Sequence, residues 1–219
     1  AVGPGRPRGL LIAGRLPPGS ELGALPRLAD RLGWPLLPDV SSRLRLGVQH
    51  EASVPYHDLL LAAGFAPEPG PEVILQVGDR PVSKPLRTYL READPPTRIV
   101  LAPHPDRIDP DHRVTHRLSG TASQLANLLG PAHADAPPEP SWSETWRTAD
   151  RLADRVLEDR LNAASTLSEP GVARIVSEEI GVEDGLFLAN SRPVRDLHTF
   201  GASGKAPAPT VTNRGASGI

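Results

Sequence analysis

From residue 9 to residue 129, short apolar runs alternate with segments whose apolar positions recur at helical spacing, and this alternation constrains the fold more than any other feature. Residues 9–14, Gly-Leu-Leu-Ile-Ala-Gly, are an apolar run closed by glycine at both ends, as suits a strand covered on both faces. The next segment carries Leu22, Leu25, Leu28, Ala29 and Leu32, with Ser20 as expected N-cap and Gly33 as terminator. The unit then repeats. Strands are expected over 35–40, 72–78, 98–102 and 114–118, and helices over 56–63, 84–92 and 122–129. Strands separated by helices imply right-handed crossovers and a parallel sheet, so residues 1–130 are expected to form an open, Rossmann-like α/β domain.

Residues 131–140 contain Pro131, Pro137, Pro138 and Pro140, which withhold backbone donors from helix and sheet alike; the segment reads as a linker. Beyond it, 142–161 is patterned as a long helix with Trp146, Ala149, Leu152, Ala153, Val156 and Leu157 on one face, and 169–180 as a second helix capped by Ser168. Apolar segments at 186–189 and 209–212 follow as strands. Residues 141–219 are therefore expected to be the truncated start of a second α/β domain. The chain begins with Ala1, contains no Met and stops inside a glycine-rich stretch, so it reads as an internal piece of a longer protein.

Composition narrows the function classes. With 219 residues and 38% hydrophobic content there is material for a substantial core. A net charge of -2 and a pI near 6.4 give no basic footprint for nucleic acid. No apolar run approaches the roughly 20 residues of a membrane span, and the first residues lack the apolar core of a signal peptide, so a cytoplasmic location is expected. The absence of Cys removes disulfides and thiolate chemistry.

Two runs near the end carry the chemistry: Asn190-Ser191-Arg192-Pro193-Val194-Arg195 and Asn213-Arg214-Gly215-Ala216-Ser217-Gly218-Ile219. Each follows an expected strand, placing an amide and a guanidinium where open α/β sheets bind ligands. Arg195 and Arg214 suit carboxylates or phosphates, because the guanidinium fork binds a planar anion bidentately. Asn190 and Ser191 can donate to an anion at a helix start or simply cap that helix. Asn213 can contact substrate or brace its own loop. Arg192 reads as a surface residue.

These runs, read from Ala189 to Asp196 and from Asn213 to Ile219, resemble motifs of the 2-succinyl-5-enolpyruvyl-6-hydroxy-3-cyclohexene-1-carboxylate synthases, the MenD family of thiamine-diphosphate enzymes. A third element, Gly78-Asp79-Arg80-Pro81-Val82-Ser83-Lys84-Pro85-Leu86, resembles the family's middle-domain segment, and weaker similarity extends over 39–45 and 56–60. The resemblance implies a central domain, a linker and the first part of a diphosphate-binding domain. It also implies a transferase that decarboxylates 2-oxoglutarate and adds the remaining unit to isochorismate with release of CO2, using thiamine diphosphate as electron sink and Mg2+ or Mn2+ to anchor it.

By the same resemblance Arg195 and Arg214 bind substrate carboxylates, and Asn190 and Ser191 contact the cofactor. Ile219 supports the cofactor's bent shape. Lys84, Asn213 and Ser217 face the substrates. The metal ligands and the activating glutamate are expected outside this chain, which alone should be inactive, and a homodimer or homotetramer is implied. Two departures stand out: Ala189 replaces the usual glycine, and Pro85 stands where some members carry a second basic residue.

Two other readings stay open. One is a related thiamine-diphosphate enzyme of the acetolactate synthase type; the other is a regulatory or structural module without catalysis. His112 and His116 have ligand-like spacing, but 113–115 reads as strand and would hold them apart on one sheet face, so no metal is expected there. Asp106, Asp109 and Asp111 read as a turn. The loop after the first strand lacks the glycine pattern of a dinucleotide site.

Overall fold

The computed structural model describes residues 6–47, 50–104, 109–129, 140–181, 183–204 and 210–213. Strands β1 (Gly9–Ala13), β2 (Leu36–Pro38), β3 (Val73–Val77), β4 (Thr97–Ala102) and β5 (His116–Ser119) form one sheet in the order β2-β1-β3-β4-β5. Every neighbouring pair is parallel. β1 sits inside the sheet and is buried at all five positions, which is why its run is apolar throughout rather than alternating.

Side chains alternate between two cores. Leu11 and Ala13 join Leu75 and Leu101 beneath α1 (Ala24–Leu32) and α4 (Ala122–Leu129). Leu10 and Ile12 join Ile74 on the opposite face, covered by α2 (His57–Ala62), α3 (Lys84–Ala93) and the first turns of α5 (Pro140–Asn162). Trp146 is completely buried in this second core, edge-on to Phe65 at 5.1 Å and to Tyr89 at 6.0 Å. Trp142 adds a hydrogen bond from Nε1 to Gly9 O, 2.8 Å, so α5 is anchored to the central strand itself.

The remaining elements are α6 (Glu169–Glu179), β6 (Leu186–Leu188), α7 (Arg192–Phe200) and β7 (Thr210–Thr212), with β6 and β7 paired in parallel. Ser168 caps α6 by accepting from Gly171 N. Ala173, Leu188, Val194 and Leu197 pack against Val40, Leu46 and Val82, so the two sheets share an apolar seam. Among the described residues no helix is long and apolar enough to cross a membrane.

Several expectations need correction. Ser20 does not cap α1: its Oγ donates to Pro17 O in a turn at 2.7 Å, and the helix begins only after Gly23, which has no side chain to offer. The strand expected over 35–40 stops at Pro38, and Val40–Ser42 is a short 3-10 turn whose leading residue, Asp39, accepts from Ser41 N. His112 is not on a sheet face; it lies in a turn with φ +53°, ahead of β5. On α5, Leu152 and Val156 are about half exposed, while Asp150 is buried on the face assigned to them. The linker expected over 131–140 lies outside the described residues except at Pro140, where α5 starts.

Candidate active site at the tips of the second sheet

Parallel pairing of β6 with β7 brings their carboxyl ends to the same edge: Leu186 lies against Thr210, Phe187 against Val211 and Leu188 against Thr212. Asn213 N then donates to Leu188 O, 3.4 Å. The start of the second run is thus brought beside the end of β6, with Asn190 and Ser191 leading away from one tip and Asn213 from the other. Asn190 and Asn213 are half-buried, and Ser191 and Arg195 are exposed. Arg214, Ser217 and Ile219 lie outside the described residues.

Two polar residues at this edge leave local hydrogen-bonding roles unused among the described residues. Ser191 has φ +72° and ψ -124°, a conformation that L side chains rarely adopt, and its hydroxyl makes no cap hydrogen bond to α7. The helix-capping role open to Ser191 is therefore not used. Asn213 Oδ1 is buried without a hydrogen-bond partner among the described residues. Arg192, by contrast, pairs with Glu169 at 3.6 Å and Asp196 at 3.5 Å on the surface, as a solvated residue does.

Behind the edge, α7 is gripped by buried polar groups that the sequence motifs did not single out. Arg45, with no exposed surface, donates from Nε to His198 O and from an Nη atom to Gly201 O, both 2.9 Å, and stacks 4.9 Å over the Tyr56 ring. A guanidinium there complements the carbonyl end of the helix dipole. Val40 N donates to His198 Nδ1 at 3.3 Å, which leaves the Nε2 hydrogen facing Asp58 Oδ1 at 3.7 Å. Asp58 also accepts from Thr199 Oγ1 at 2.8 Å and from Ser83 Oγ. Burial works against the Asp58 carboxylate, yet the His198 ring, Ser83, His57 and Thr199 outweigh it and hold its pKa below the ordinary range. The sequence carried only the weak family similarity over 39–45 and 56–60, because these charged residues become buried partners only when the two sheets pack.

Lys84 is exposed at the first turn of α3, immediately after Ser83, whose Oγ caps that helix by accepting from Leu86 N at 2.9 Å. The described residues include no group of three or more His, Asp or Glu that could hold a metal ion. Asp109 accepts from Arg113 N and Val114 N and shapes a turn; Asp106 lies outside the described residues.

In the first sheet, the strand order reverses direction between β1 and β3, the place where such sheets open a ligand crevice. Here the two loops meet. A Cβ on Gly14 would fall 1.6 Å from Asp79 O, and one on Gly78, at φ +80°, would fall 2.4 Å from Arg15 O. Arg15 and His104 both reach the Asp79 carboxylate, at 2.5 and 3.0 Å, and a cavity remains beside these loops, lined by Leu16, Val77, Gly78, Leu101 and Gly120.

Fold and site together define an α/β protein with a doubly wound parallel sheet joined to a second parallel pair, with Asn190 and Ser191 following one strand tip and Asn213 the other. A family model described as "Middle domain of thiamine pyrophosphate" matches residues 5–188, and the chain belongs to that family of thiamine-pyrophosphate enzyme domains. It is similar to 2-succinyl-5-enolpyruvyl-6-hydroxy-3-cyclohexene-1-carboxylate synthases: 47% identical to that of Rubrobacter xylanophilus over 97% of this chain and 37% of the relative. Against the Salinibacter ruber enzyme the values are 41%, 98% and 37%, and against the Chlorobium chlorochromatii enzyme 37%, 96% and 35%. The chain spans little more than a third of the length of the curated relatives it matches.

Proposed function

We propose that this chain is the central part of a thiamine-diphosphate-dependent transferase of menaquinone biosynthesis, which decarboxylates 2-oxoglutarate and joins the remaining unit to isochorismate with release of CO2. Residues 1–130 are then the central domain, 131–140 the linker, and 141–219 the first part of the diphosphate-binding domain. The observation that carries this reading is the parallel register of β6 and β7, which places the Asn190–Arg195 and Asn213 runs at one edge.

The residues present fit the cofactor. An anionic diphosphate needs hydrogen-bond donors and a helix start, and the Ser191 hydroxyl and the first turn of α7 supply both. When bound, thiamine diphosphate, anchored by Mg2+ or Mn2+, supplies the electron sink for carbon–carbon bond cleavage and formation. The protein's task is binding and orientation. Arg195 engages a substrate carboxylate through its fork, Arg214 does so from the neighbouring tip, and Lys84 adds positive charge at the entrance. Asn213 and Ser217 line the substrate side, and Ile219 supports the cofactor. The site is completed in a homodimer or homotetramer in the cytoplasm.

A substrate screen on the full-length protein with Mg2+ and thiamine diphosphate tests the reading. CO2 release from 2-oxoglutarate in the presence of isochorismate is expected, with little from pyruvate; preference for pyruvate would move the chain to the acetolactate type. One further observation favours an added regulatory role. A shallow cleft on the α3 side of the first sheet is lined by Arg80, Arg87 and Arg98 together with Asp109 and Asp111, and its three guanidinium groups suit an acidic ligand. Calorimetry of the full-length protein with pathway acids would register it.

A further inference from the structure

Lys84 and Arg195, the two cationic candidates within the described residues, lie on different helices of different sheets, yet each neighbours a hydroxyl bound to the same carboxylate. Ser83, one residue before Lys84, and Thr199, one helical turn after Arg195, both donate to Asp58. Asp58 itself is 7% exposed on α2 and touches neither tip of the second sheet among its recorded hydrogen bonds. Arg195 and Thr199 stand four residues apart, on the same side of α7.

Resting on the reading above, we propose that Asp58 is a positioning residue: through Ser83 and Thr199 it fixes the start of α3 against the last turn of α7, and so sets where Lys84 and Arg195 stand relative to one another. The Ser83 arm is buried and the Thr199 arm part-buried; Oδ1 takes Ser83 and faces His198 Nε2 of α7 at 3.7 Å, while Oδ2 takes Thr199. Removing an arm frees a rotation of α7 without removing any group that touches substrate. A small displacement of the Arg195 fork weakens its bidentate hold on a substrate carboxylate and so raises KM. Arg45 holds the backbone of the same turn, so α7 stays folded when the Asp58 arm is cut.

The test is a double-mutant cycle in the full-length holoenzyme, following 2-oxoglutarate consumption. Thr199→Val, which keeps side-chain volume, is expected to raise KM for 2-oxoglutarate about tenfold with kcat little changed. Thr199→Ser should restore it, and Asp58→Asn should follow Thr199→Val. In an Arg195→Ala background Thr199→Val should add less than about twofold, because the group it positions is gone. Equal effects in both backgrounds, or no effect of Thr199→Val, would overturn the proposal while leaving the functional reading intact. If Arg195→Ala alone leaves KM unchanged, the assignment of Arg195 fails and the positioning role falls with it. Should Asp58→Asn fold poorly, Thr199→Val and its serine rescue decide the matter alone.

Discussion

His57 is fully buried with Nδ1 donating to Val54 O at 2.9 Å and with Nε2 unpartnered among the described residues. Burial first, and the adjacent His198 ring second, depress its pKa to about 3; Asp58 and the Val54 carbonyl oppose this, and Arg45 reinforces it. The unfolded chain takes up a proton near pH 6.5 that the folded one refuses. Stability associated with this residue is therefore intact above pH 6.5 and is lost progressively as pH falls towards 3. Linkage puts the loss at pH 5 at about 2 kcal/mol. His57→Gln should flatten this acid limb when urea unfolding is compared at pH 7 and pH 5, and an unchanged limb would show that His57 is not its source. The sequence could not reveal this, because a histidine beside an aspartate reads as solvated until packing removes the water.

At the scale of elements, periodicity located the helices well, and α4 was placed to the residue, because apolar spacing and glycine terminators are local signals. On α5 it placed Trp146, Ala153 and Leu157 rightly on the buried face but set that face too wide, taking in Leu152 and Val156, which are half exposed. Asp150 occupies that face because its Oδ1 accepts from Tyr56 N at 2.7 Å, a partner 94 residues away, and burial pushes its pKa up to about 7. A rule that sends charge outwards cannot foresee such a pairing. The two faces make different predictions under thermal or urea unfolding. Trp146→Ala should cost about 3–5 kcal/mol, since it empties the centre of the second core, whereas Leu152→Ala should stay within about 0.5 kcal/mol. Comparable losses would return Leu152 to the core. The strand after Trp34 was similarly overextended, because the Asp39 carboxylate redirects the chain at Val40 by binding Val82 N and Ser41 N.

Across the whole molecule, the second sheet is held to the first by an apolar seam and by buried charge, with Arg45 and Asp58 reaching α7 from the first sheet's side. Under the proposed positioning role, this packing sets where α7, and with it Arg195, stands. The alternation of strands and helices was legible from the chain, as was the placing of Asn190 and Asn213 after strands, since both follow from apolar runs ending in polar loops. The seam was not, because its members are scattered from Asp39 to Gly201 and become neighbours only when the two sheets pack. The most direct test of the account is kcat/KM for 2-oxoglutarate, with isochorismate, in the full-length enzyme and its Arg195→Ala variant. Loss of a charge-assisted contact worth about 1.5–3 kcal/mol predicts a fall of roughly 10- to 150-fold with the melting temperature preserved; a value within twofold of the unsubstituted enzyme would contradict the claim that these strand tips bind the substrate.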